Sequence, residues 1–185
     1  ALLYPKMLGS SASYKILEPP RMTHKSALAA LLLLPSFSYA ATVLSAPPEL
    51  NNKSYVLMDY ETGQILAAKN ENEKLAPASM TKMMTSYIIE QKLLKGELTE
   101  NEQVRMNESA WCRGSSSESC MYVPLNGTAT VLEMLRGIII QSGNDASKAM
   151  AEHISGNEGT FAHMMNQEAK RVGMVNTHFN NSTGM

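Results

Sequence analysis

Short apolar runs bounded by polar residues stand at "SYVLMDY" (54–60) and again at "QILAAKN" (64–70), with "ETG" between them. Two short apolar runs around a glycine turn predict a β-hairpin. The period then changes. Met83, Met84, Tyr87, Ile88 and Leu94 recur at helical spacing, which predicts a helix over Met80–Lys95 that Gly96 stops. "ELTENEQVRMNESAW" (97–111) is a polar connection with room for one short strand or helical turn. Thr130 and Glu133 then form a capping box ahead of "VLEMLRGIII". A further helix covers "DASKAMAEHI" and ends at Ser155-Gly156-Asn157. The last runs from about Phe161 to Val172, with Lys170 and Arg171 at its negative end and Gly173 beyond. "MVNTHFNNSTGM" closes the chain, part strand and part turn. The expected fold class is therefore α/β: an antiparallel hairpin followed by a mainly helical block, with the sheet unfinished.

Composition adds little to this. The chain has 185 residues, a net charge of −1, 18% charged and 44% hydrophobic residues, enough for one domain with a core. Without a basic run there is no electrostatic reason to expect nucleic acid. The fourteen methionines read as flexible core fillers.

The beginning of the chain changes the picture more. From Met22 the sequence runs "MTHKSALAALLLLPSFSYA": basic residues, an apolar stretch from Ala27 to Leu34, then Ser38 and Ala40 in cleavage-site spacing. This is the pattern of a secretory signal peptide over 22–40, too short to span a membrane. Residues 1–21 then read as an upstream translated extension, and the exported chain as residues 41–185. Export suits Cys112 and Cys120, which flank the polar loop "RGSSSES" and read as a possible local disulfide.

The candidate chemistry begins at "PASMTKMMT", where Ser79 and Lys82 stand three residues apart near the start of the first helix. Residues at i and i+3 share a helix face, so the two side chains can meet. A serine hydroxyl becomes a good nucleophile when a base takes its proton, and lysine is that base only as the neutral amine. Moving a lysine from a pKa of about 10.4 to ~7 requires roughly 4–5 kcal/mol of cation destabilisation. A helix N-terminus contributes about 0.3–1 kcal/mol, up to ~2 when partly buried. Burial and neighbouring positive charge must supply the rest. The Ser79 N–H at that helix start is a candidate oxyanion donor. The alternative is an N-cap serine with a solvated lysine.

"SGN" occurs twice. Ser155-Gly156-Asn157 falls at a helix end and reads as a stop signal. Ser142-Gly143-Asn144 lies between two helices, where Asn144 or Asp145 can cap the second; Ser142 and Asn144 are the functional candidates.

Together, "PASMTKMMT", "ESAW" and "RGIIIQSGNDASKAMAEHISG" resemble the serine D-alanyl-D-alanine carboxypeptidases, the low-molecular-mass penicillin-binding proteins, and within them the Gram-negative type 5/6 enzymes. The likeness begins near Ser54, where "YVLMDYETGQILAAKN" is similar to the family's opening hairpin. It implies the β-lactamase/penicillin-binding-protein fold, an antiparallel sheet with a helical subdomain. It makes Ser79 the acylated nucleophile, Lys82 its base, Ser142 a proton relay and Asn144 a substrate-orienting amide. The implied partners are peptidoglycan stem peptides ending in D-Ala-D-Ala and β-lactam antibiotics, with no metal or organic cofactor. The implied location is the periplasm, with inner-membrane association through a C-terminal anchor.

Two departures accompany the resemblance. The third motif, K-[ST]-G, and the C-terminal anchor do not occur in these residues, so the expectation is an N-terminal part of the domain, lacking most of the sheet and inactive alone. The "CRGSSSESC" segment reads as a local elaboration beside the cleft. Two alternatives are a class A-like β-lactamase and a non-catalytic penicillin-sensing domain. The first usually has S-D-N and a Glu-x-x-x-Asn loop, whereas here Gly143 is the middle residue and Glu152, Glu158 and Glu168 lack the asparagine. The second should carry membrane spans.

Overall fold

The computed structural model describes residues 46–114 and 117–185. The leader and upstream-extension expectations lie outside them. Every element below belongs to one compact unit, Asn52–Met185.

The hairpin forms from β1 (Tyr55–Met58) and β2 (Ile65–Lys69), antiparallel, with a bulge between Leu57 and Met58. Asp59 closes its turn, accepting from the Thr62 amide at 2.8 Å and the Thr62 hydroxyl at 2.6 Å. Among the described residues no helix packs on this hairpin, and Val56, Leu57, Met58 and Ile65 stay exposed.

Next come a 3₁₀ turn over Ala78–Thr81 and helix α1 (Lys82–Leu94). The expected helix is present, but its inner face differs from the expected one: Met83 is 72% and Leu94 80% exposed. The buried residues are Lys82, Met84, Thr85, Ser86, Ile88 and Ile89: the expected Met84 and Ile88 face inward, joined by a polar series at Lys82, Thr85 and Ser86. Hydrophobic periodicity found Met84 and Ile88 but could not find the polar part of the face, which the helix buries for other reasons.

The polar connection contains β3 (Gln103–Arg105), which pairs antiparallel with β4 (Thr128–Thr130). Helix α2 (Val131–Gln141) follows directly, opened by the full capping box: Glu133 N–H donates to Thr130 Oγ1 and Thr130 N–H to Glu133 Oε2. Helix α3 spans Asn144–Ser155 and α4 spans Glu158–Arg171. Two expectations need correction. Neither Asn144 nor Asp145 caps α3; Gly143 occupies that position, and both side chains are used elsewhere. Helix α4 starts three residues early because Asn157, the last residue of the second S-G-N, caps it through Thr160 N–H at 2.8 Å.

The closing segment holds turns and no strand. Asn166 explains this locally. Its side chain accepts from Phe179 N–H at 2.8 Å and donates to Phe179 C=O at 2.7 Å, satisfying groups that a strand would have paired.

Two apolar cores flank α1. Ile89 joins Val104, Met106, Val131, Met134 and Ile138 on one side, while Met84 and Ile88 join Phe161, Met165 and Phe179 on the other. The element that carries Lys82 is thus clamped from both sides. Among the described residues no helix is long and apolar enough to cross a membrane.

Candidate active site

Ser79 lies in the 3₁₀ turn and Lys82 is the first residue of α1. Ser79 is therefore no N-cap: Pro77 holds that position for the turn and Thr81 for the helix. Ala78, immediately before the serine, has φ +47°, an uncommon conformation for a residue with a Cβ. Ser79 itself is exposed, whereas Lys82 is 4% exposed. Lys82 Nζ donates to Ser79 Oγ at 3.1 Å and to the Thr183 carbonyl at 3.3 Å. Burial pushes the Lys82 pKa below its ordinary value, Glu118 opposes that shift, and Lys148 adds to it. A buried amine beside an exposed hydroxyl is the arrangement that base-assisted attack by serine needs.

The lysine is covered from the far end of the chain. Thr85 Oγ1 donates to the Ser182 carbonyl at 2.7 Å. Glu158 Oε1 accepts from the amide and hydroxyl of Ser182, and Asn181 Oδ1 accepts from the amides of Thr183 and Gly184. A turn was expected here, but its place over Lys82 was missed from sequence. Its signal, the turn-forming "NNSTG", carried no hint of its partner.

Ser142 is the C-cap of α2, in the left-handed region at φ 55°, and half-buried. Among the described residues its hydroxyl makes no hydrogen bond to Ser79 or Lys82. Gly143 follows in a confined position, where an added Cβ would lie 3.2 Å from Met121 N and 3.1 Å from Asp145 Oδ1. Asn144 is 2% exposed. Its N–H donates to Ser119 C=O at 2.8 Å, and its Nδ2 to Glu118 Oε2 at 3.0 Å. Its Oδ1 is buried without a partner. Asp145 accepts from the amides of Met121 and Tyr122, each at 2.8 Å.

Cys112 and Cys120 are joined in a disulfide with Cα atoms 6.3 Å apart. The loop they close is pinned to the S-G-N turn by the bonds just described, and the Ser119 hydroxyl adds one to Gln141 C=O. A cleft of about 960 Å³ lies elsewhere, lined by Met80, Met83, Met84, Tyr87, Met174 and Phe179 among others, and none of the four candidate residues reaches it.

Known proteins match this chain. A family profile described as D-alanyl-D-alanine carboxypeptidase (peptidase S11) covers residues 41–185. The chain belongs to that family. It is 40% identical over 168 residues to the D-alanyl-D-alanine carboxypeptidase DacA of Haemophilus influenzae, covering 89% of this chain and 43% of that protein. It is 49% identical over 133 residues to DacF of Bacillus subtilis, covering 72% of this chain and 33% of that protein. Among solved structures, penicillin-binding protein 5 from Haemophilus influenzae superposes with a TM-score of 0.73 at 42% identity, covering 76% of this chain and 41% of that one. The chain thus spans about two-fifths or less of the length of these relatives. The fold is that of the type 5/6 penicillin-binding proteins, represented among the described residues by a helical block and two small antiparallel sheets.

Proposed function

We propose that the full-length protein is a serine-type D-alanyl-D-alanine carboxypeptidase that trims the terminal D-alanine from peptidoglycan stem peptides through an acyl-enzyme on Ser79. The observation that supports this most is the buried Lys82 Nζ, 3.1 Å from the exposed Ser79 hydroxyl. In the neutral amine one N–H goes to the Thr183 carbonyl, leaving the lone pair free to face the serine. Ser79 Oγ attacks the carbonyl of the penultimate D-alanine as Lys82 takes its proton. The tetrahedral intermediate collapses, the C–N bond breaks, and Ser142 passes a proton to the departing D-alanine nitrogen. Asn144 orients the peptide. Water then cleaves the ester, releasing the shortened peptide and restoring the serine.

Penicillins would enter the same route by acylating Ser79. Export by the leader over 22–40 would place the enzyme in the periplasm, where its substrate is, with residues 41–185 forming the N-terminal part of the catalytic domain. The test is D-alanine release from diacetylated lysyl-D-alanyl-D-alanine by the full-length protein. Ser79→Ala and Lys82→Ala should each abolish it in folded protein. Undiminished release by Ser79→Ala would refute the reading.

A further inference from the structure

Helix α3 starts at Asn144, and its carboxamide is an asymmetric group with two orientations of almost equal shape. Hydrogen-bond partners alone decide between them. Here one partner is unambiguous: the Glu118 carboxylate can only accept, so the atom facing it at 3.0 Å must be the nitrogen. The oxygen is then left buried with no donor. An orphaned acceptor of this kind is costly unless something arrives to satisfy it. The donors at an acylation site are the Lys82 amine and the N–H groups of a bound peptide.

Glu118 owes its place to the loop. The disulfide closes the segment around it. Ser119 C=O, Met121 N–H and Tyr122 N–H tie the next residues to Asn144 and Asp145. Lys148, one turn along α3, lies 3.9 Å from the same carboxylate oxygen. Glu118 therefore touches the orienting amide, pairs with a cation on the same helix, and acts through its field on the base.

Resting on the proposed function, we propose that Glu118 is a positioning residue of the acylation site: from the disulfide-closed loop it holds the Asn144 carboxamide nitrogen and keeps the oxygen free for the incoming donor. Glutamine at 118 can still accept from Asn144 through its own oxygen. Alanine cannot. The charged groups that act on Lys82 are Glu118 from the loop and Lys148 from α3, so removing the Glu118 charge also lets the base lose its proton at lower pH.

The experiment measures second-order acylation of the full-length protein by a fluorescent penicillin across pH. Glu118→Ala should slow acylation by about 10- to 100-fold, the range for losing a charge-assisted bond that sets a reactive geometry. Glu118→Gln should stay within about threefold of wild type at the pH optimum, with its acidic limb moved to lower pH. In an Asn144→Ala background, Glu118→Ala should add less than about twofold. Glu118→Ala acylating like wild type, Glu118→Gln failing as badly as alanine, or an undiminished loss in the Asn144→Ala background would each overturn the proposal. A second readout needs no activity: the Asn144 side-chain amide signals in a nitrogen–proton correlation spectrum should move in Glu118→Ala and hold near their wild-type shifts in Glu118→Gln. If wild type itself is not acylated, the functional reading falls, yet unmoved signals in Glu118→Ala would still overturn the positioning role and moved ones would support it.

Discussion

The Thr183 carbonyl accepts a hydrogen bond from Lys82 Nζ at 3.3 Å, across a sequence separation of 101 residues. Gly184 makes this closure possible. It has φ +81°, and a Cβ there would meet the Ala78 carbonyl oxygen at 1.9 Å. The closing turn thus lies on the backbone that presents Ser79.

Gly184→Ala should force that turn away, through both the clash and the left-handed backbone. The expected result is a stability loss of about 1–3 kcal/mol in urea titration. Lys82 becomes more hydrated, so the acidic limb of acylation should move to higher pH. A variant with wild-type stability and pH profile would show that the turn is not a cover.

Lys82 should itself make stability depend on pH. Its folded pKa is lowered, so the unfolded chain binds more protons and stability rises with pH between the folded value and the unfolded value of about 10.4. Lys82→Met removes this. The variant should exceed wild type in stability near pH 7, and the gap should narrow as pH approaches 10. A gap that does not vary with pH would argue that the lysine is not destabilised as a cation.

The two S-G-N copies should separate by activity. Ser155 Oγ bonds the Ala151 carbonyl at 2.7 Å and the Asn157 carbonyl at 2.9 Å, local bonds at a helix end. Ser155→Ala should leave turnover within about twofold and cost no more than ~1 kcal/mol. Ser142→Ala should reduce turnover by about 10²-fold or more, as for loss of a proton-transfer group. Equal losses would mean that Ser142 has no special part.

How much of this was legible beforehand divides along physical lines. Local signals read true: the glycine turn of the hairpin and the Thr130–Glu133 box each depend on residues close in sequence. Ser79 and Lys82 were legible for the same reason, being one turn apart. The buried side of α1 was legible only in part: Met84 and Ile88 followed the apolar period, while the polar stripe of Lys82, Thr85 and Ser86 did not. Not legible were the work of Asn144 and Asp145, which looked like caps but reach the disulfide loop, and the Asn181–Gly184 cover. The bonds from Asn144 and Asp145 to the loop, and from the closing turn to α1, span 23 residues or more, and no local rule encodes them.

Thiol labelling of the full-length protein, prepared without reductant, should find Cys112 and Cys120 protected until reduction. The loop between them has a sequence separation of 8, for which chain entropy gives a stabilisation of about 2–3 kcal/mol. Cys112→Ser with Cys120→Ser should lower stability by no more than that and retain acylation, because hydrogen bonds to Asn144 and Asp145 still anchor the loop. Loss of acylation in a folded double variant would show that those bonds are insufficient.

The central claim is that Ser79 is the nucleophile, activated by the buried Lys82. The most direct measurement is mass spectrometry of the full-length protein after brief exposure to a penicillin, with fragmentation to locate the added mass. The account expects one adduct, on Ser79, absent in Lys82→Ala although that variant remains folded. An adduct on Ser142, Ser155 or any other residue, or unimpaired labelling of Ser79 without the lysine, would contradict it.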